Sequence, residues 1–93
     1  MRLHPWQAEA IREVVHALDP AAHVYLFGSR VDDQARGGDI DLLVMSERIG
    51  EQHRTRLQHR LHERIGDQRI DLVLARDTQR PFVRLALAEA IEL

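Results

Sequence analysis

Two aspartates one residue apart, Asp39-Ile40-Asp41, open a run that continues Leu42-Leu43-Val44-Met45. Side chains of a β-strand alternate between faces, so a strand here sends both carboxylates the same way, with their Cα atoms roughly 6.5–7 Å apart. Ile40, Leu42 and Val44 take the opposite, apolar face. A second segment, Arg69-Ile70-Asp71-Leu72-Val73-Leu74-Ala75, has the same character, with Ile70, Leu72 and Leu74 on its apolar face and Asp71 across from them. If the two strands are neighbours in register, Asp39, Asp41 and Asp71 converge on one side of a sheet. At an effective dielectric near 20, each close pair of such charges repels by on the order of a few kcal/mol. A cation, an arginine or a shifted pKa has to relieve that repulsion. The plainest relief is that Asp39 and Asp41 sit in the solvated first turn of an edge strand and Asp71 pairs with Arg69 or another arginine. The other is a divalent metal, for which clustered carboxylates are the natural hard ligands.

Gly28-Ser29 bears on that choice. It directly follows His23-Val24-Tyr25-Leu26-Phe27, a segment rich in β-branched and aromatic residues that reads as a buried strand. Backbone N–H groups and a hydroxyl at such a strand end, especially with a helical turn after Ser29, can hold a phosphate. Gly37-Gly38, just ahead of Asp39, lets the intervening polar loop fold back so that both features share one cleft. Phosphate donors beside a hard-cation site describe a nucleotide and Mg²⁺ pocket.

Around these segments, Ile11, Val14, Val15 and Leu18 recur at helical spacing, and Pro5 suits a first helical turn. A helix over 5–18 follows, stopped by Asp19-Pro20. Leu57, Leu61 and Ile65 at i+4 spacing, with Gly66 behind them, predict a second helix. A third begins near Pro81, with Phe82, Leu85, Ala86 and Ala90 assigned to its inner side. Trp6 and Phe82, near the starts of the first and last helices, are expected to be core or packing residues rather than a base-stacking platform. The order α-β-β-α-β-α favours an α/β or α+β domain, a small mixed sheet of three or more strands covered by helices.

Composition bounds the rest. The chain has 93 residues, 13 Lys+Arg against 15 Asp+Glu, a net charge of −2 and no cysteine. These numbers fit one domain over 1–93, and a domain of this size buries only about two thirds of the surface its unfolded chain exposes. The slight negative charge gives no general attraction to DNA, RNA or anionic lipid, so no direct nucleic-acid binding is expected. A disulfide framework and a thiolate metal site are excluded. The N-terminus lacks a signal-peptide core and no apolar run is long enough to span a membrane, so a cytoplasmic protein is expected.

Taken together, Gly28-Ser29, nine intervening residues, Asp39-Ile40-Asp41-Leu42 and the later Asp71 resemble the signature of the nucleotidyltransferase superfamily that includes DNA polymerase beta. The short length resembles its minimal branch, the antitoxins paired with HEPN-domain toxins. The resemblance covers Val24 to Leu74. It implies that Asp39, Asp41 and Asp71 hold two Mg²⁺ ions, with Asp71 nearer the attacking hydroxyl and helping to remove its proton. It implies further that Gly28 and Ser29 contact the terminal phosphates of ATP, with Arg30 as a clamp. AMP would pass to a hydroxyl, a tyrosine on the toxin, with pyrophosphate released. One departure is Gly38, where family members often carry Ser. Since Gly28 to Asp71 spans about half the chain, little is left to grip an acceptor, and a partner protein in a hetero-oligomer would supply that surface. The reading from a different class is a binding module that silences its partner by steric masking.

Weaker signals remain. Arg54, Arg56, His59, Arg60, His62 and Arg64 crowd the second helix, either as a solvated face or as a stripe for an acidic partner or its RNA. The Arg54 to His59 spacing superficially matches the ribonuclease motif of HEPN toxins, but that motif belongs to an all-helical domain. His59 and His62 could share a metal only with a third ligand. Arg76 and Arg80 could line the cleft or be solvated, and Tyr25 could lean toward the pocket or the core.

Overall fold

The computed structural model describes residues 3–31 and 39–93, and of Ser29 only the backbone. Helix α1 (Pro5–Leu18) begins where expected: Pro5 occupies the first turn, and the Gln7 side-chain oxygen accepts a hydrogen bond from the His4 N–H at 2.9 Å. Strand β1 (His23–Phe27) leads into a 3-10 turn over Gly28–Val31. Strand β2 (Ile40–Met45), helix α2 (Arg54–Ile65), strand β3 (Ile70–Ala75) and helix α3 (Pro81–Glu89) follow. Gly66, at φ +89°, terminates α2 in a conformation that other residues rarely adopt.

The sheet is mixed, in the order β3-β2-β1-β4. β1 and β2 are antiparallel, whereas β2 and β3 are parallel and joined through α2, the crossover that parallel neighbours require. The last strand, β4 (Ile91–Glu92), adds a short antiparallel edge against Tyr25 and Leu26. The sequence reading missed it, because two residues after a helix are too few to show alternation.

Strand periodicity divides the core into two layers. Val24, Leu26, Ile40, Leu42, Val44, Ile70, Leu72 and Leu74 face α1 and α2, where they meet Ile11, Val15, Leu57 and Leu61 in the main core. Leu43 and Ala75, with half-buried Phe27, Met45 and Val73, face α3. The side of α3 that packs differs from the expectation. Val83 is fully buried and Ala86 nearly so, while Phe82 is 53% exposed and Leu85 72%. Apolar residues occur on several sides of this short helix, so the pattern alone did not select the buried one. Trp6 also leaves the core: it is 55% exposed and lies over the His4 ring. Among the described residues, no helix is long and apolar enough to cross a membrane.

Candidate active site

The parallel register of β2 and β3 pairs Asp41 with Asp71. Neighbouring strands run about 4.8 Å apart, so the carboxylates start from adjacent positions on one face. Asp39 lies two residues before Asp41 and shares that face. Ile40 N–H donates to the Arg69 carbonyl at 3.0 Å, which sets Arg69 beside Asp39 as Asp71 is set beside Asp41. Alternation puts Asp41 on the side of Leu43 and Met45, the side carrying α3. The carboxylates occupy the stretch of that face nearest the starts of β2 and β3.

Asp41 is the most enclosed of the group. Burial raises its pKa above the ordinary aspartate value, helped next by the negative charges of Asp71 and Asp39 and by a hydrogen bond shared with Asp71. The neighbours that raise it are the two other aspartates of the set. Asp39 and Asp71 are more open, with side chains 37% and 50% exposed, and each lies against the Arg69 guanidinium. Arg69 Nε stands 3.4 Å from Asp39 Oδ2 and 3.9 Å from Asp71 Oδ1. The plain reading puts Asp39 and Asp41 on an edge strand, whereas β2 is interior, between β3 and β1; its pairing of Asp71 with Arg69 is present, and the contact to Asp39 comes in addition.

The glycine of Gly28-Ser29 is positioned against this group. Phe27 pairs with Asp41 across the β1–β2 ladder, and Gly28, at φ +75°, turns the chain directly past the Asp41 carboxylate. A Cβ on residue 28 would land on Asp41 Oδ2 and stand 3.0 Å from Cγ. Glycine is therefore required twice here, by the left-handed backbone and by the close approach. The Ser29 side chain, and Gly37-Gly38, lie outside the described residues. Arg30 is half-buried, and its guanidinium donates to Gln68 Oε1 at 3.2 Å.

Asp39, Asp41 and Asp71 thus lie side by side next to Gly28. Their oxygens are the hard donors that Mg²⁺ takes, and the excess negative charge around Asp41 is what a divalent ion relieves. Among the described residues, however, no three carboxylate or imidazole groups are already closed around one point as a metal cage.

The other candidates do not join this group. Arg76 lines a cavity with Asp19, His23, Met45, Ser46 and Arg48 at the opposite end of β2 and β3. Arg80 donates to the Leu74 carbonyl at 2.6 Å. Of the two fates open to Arg76 and Arg80, solvation holds, both being exposed, because parallel strands put the end of β3 beside the end of β2, away from Asp41. Tyr25 points to the α3 side and is half-buried. On α2, His62 bonds the Gln68 carbonyl at 2.8 Å, and His59 faces Glu63 at 3.4 Å, so the two imidazoles serve different partners. Arg54 is held by Glu51 and Arg64 by Glu13, which leaves less of a basic stripe than the sequence suggests.

Sequence reasoning missed a shallow apolar groove beside the carboxylates. It is lined by Phe27, Gly28, Phe82, Leu85, Ala86 and Glu89, with the Phe27 and Phe82 rings edge to face at 6.0 Å. Assigning Phe82 and Leu85 to the core concealed it.

A mixed sheet carrying Asp-x-Asp on one strand, a third aspartate on its parallel neighbour and a glycine turn against them defines a nucleotidyltransferase-like class. Comparison with known families agrees, since the family described as Polymerase beta, Nucleotidyltransferase matches residues 9–93. The chain belongs to that family, and the match extends beyond the segment from Val24 to Leu74 that carried the sequence resemblance. No curated protein matches the chain.

Proposed function

We propose that this nucleotidyltransferase-family chain is a Mg²⁺-dependent enzyme that transfers AMP from ATP to a hydroxyl, a tyrosine, of a HEPN-type toxin and thereby acts as its antitoxin. The observation that carries the reading is the juxtaposition of Asp39, Asp41 and Asp71 beside the Gly28 turn in a chain of this family. These carboxylates would hold the two metal ions, which when bound neutralise the triphosphate and stabilise the attacking and leaving oxygens of an in-line displacement. Asp71, the outer carboxylate, takes up the proton as the acceptor oxygen bonds to the α-phosphorus and the bond to pyrophosphate breaks. Gly28 admits the chain close enough to Asp41 for phosphates and carboxylates to share one cleft, and Ser29 and Arg30 contact the terminal phosphates.

A protein acceptor is supported by the surroundings of the site. Asp39 and Asp71 open to solvent, and the adjoining groove exposes Phe82 and Leu85. An apolar rim beside an open site suits a docking protein, which supplies its own hydroxyl.

The test is to incubate the chain with ATP, Mg²⁺ and the product of the neighbouring gene, and to weigh that product. Growth in mass by whole AMP units, lost with Asp39→Asn/Asp41→Asn, is the expected result. Suppressed activity of the partner at unchanged mass would instead establish steric masking.

A further inference from the structure

The starts of β2 and β3 form a quadrilateral of charged side chains on one face of the sheet. Asp41 lies in β2 and Asp71 in β3, and Asp39 and Arg69 immediately precede those strands, with 41 opposite 71 and 39 beside 69. Three corners are acidic and one is basic. The basic corner reaches two of the acidic ones: one nitrogen, Arg69 Nε, lies 3.4 Å from Asp39 and 3.9 Å from Asp71. These are ion-pair distances and longer than a good hydrogen bond. The guanidinium therefore neutralises both outer carboxylates without being locked to either. It is also 77% exposed, so little packing opposes its displacement.

We infer that Arg69 is a built-in counter-cation of the Asp39 and Asp71 carboxylates, holding the metal-free site together and giving way when a divalent ion loads. This deepens the proposed function, since it rests on the same carboxylates being metal ligands. A divalent ion on the same two carboxylates repels the guanidinium beside it, and because Arg69 is exposed and touches only one oxygen of each, that repulsion favours its displacement as the metal loads. Arg69 thereby sets the divalent concentration at which the site fills. Asp41, the third, stays flanked by the acidic pair.

The experiment measures Mn²⁺ binding to the intact metal-free chain, by calorimetry and by the Mn²⁺ electron-spin signal, in wild type, Arg69→Gln, Arg69→Lys and Asp41→Asn. Exposed ion pairs are individually weak, so removing both contacts of Arg69 is expected to tighten Mn²⁺ binding roughly three- to tenfold. Arg69→Lys, which keeps the charge, stays near wild type. Melting supplies a second readout: Arg69→Gln melts below wild type in chelator, and Mg²⁺ raises its melting temperature by more. Binding by Arg69→Gln that is equal to or weaker than wild type, with wild type still binding and Asp41→Asn not, overturns the role of Arg69 and leaves the metal site standing. Failure of the wild type to bind Mn²⁺, or undiminished binding by Asp41→Asn, overturns the metal site itself and the counter-cation with it.

Discussion

Gly28 is packed against Asp41 so closely that the smallest side chain at position 28 would collide with the carboxylate. Its positive φ adds a second constraint, because a left-handed backbone costs alanine about 1–2 kcal/mol. Gly28→Ala is expected to lower stability by at least that amount, roughly 4–8 °C per kcal/mol for a domain of this size. It should also displace Asp41 and reduce nucleotidyl transfer in the fraction that stays folded. Thermal melting beside a transfer assay separates the effects, and a variant that melts and turns over like wild type would refute the contact.

Asp41→Asn addresses the charge and leaves the shape nearly intact. It removes a carboxylate that burial and two acidic neighbours already disfavour in its ionised form. Transfer is expected to fall by more than about 100-fold, since loss even of groups supporting metal ligands costs 10–100-fold. In chelator, the melting temperature should hold or rise, because one member of a repelling set is gone. A substantial drop in the chelated protein would show that Asp41 is needed for folding.

At the other end of the sheet, Ser46 Oγ donates to Asp19 Oδ2 at 2.6 Å and accepts the backbone N–H groups of Arg48 and Ile49. The Ser46 hydroxyl, and then the Ala21 N–H, hold Asp19 below its ordinary pKa. With its pKa depressed by folding, Asp19 adds stability above the ordinary carboxylate pKa and loses it as pH falls through the depressed value. Wild type should therefore lose stability on acidification more steeply than Ser46→Ala, which starts lower at neutral pH. Denaturant unfolding between pH 7 and 3 checks this, and parallel profiles would exclude the linkage.

The two sides of α3 make opposite predictions. Val83→Ala empties a fully buried position and should cost about 2 kcal/mol. Leu85→Ser alters a side chain 72% exposed and should change stability by less than about 0.5 kcal/mol. In the toxin assay, Leu85→Ser is expected to raise the KM for the protein acceptor and leave ATP affinity unchanged. A stability loss at Leu85 matching that at Val83 would contradict the packing of the helix.

The three helices and the three longer strands, and the face each of those strands turns to the carboxylates, follow from sequence alone because they are local, whereas the two-residue β4 does not. The stripe of Ile11, Val14 and Val15, the i+4 row of Leu57, Leu61 and Ile65, and the alternation through Asp39-Ile40-Asp41 each need only a helical or extended backbone to be read. Even the Gly28 turn is foreshadowed by a glycine at the end of a β-rich run. Which strands become neighbours is not local. That β3 lies parallel to β2 with Asp71 opposite Asp41, and Arg69 therefore over Asp39, depends on the crossover through α2 and on burying both layers at once. A one-residue slip would have sent Asp71 to the other face. Likewise, α3 carries apolar residues on several sides, and only its seat on the sheet buries Val83 and leaves Phe82 and Leu85 open beside the site.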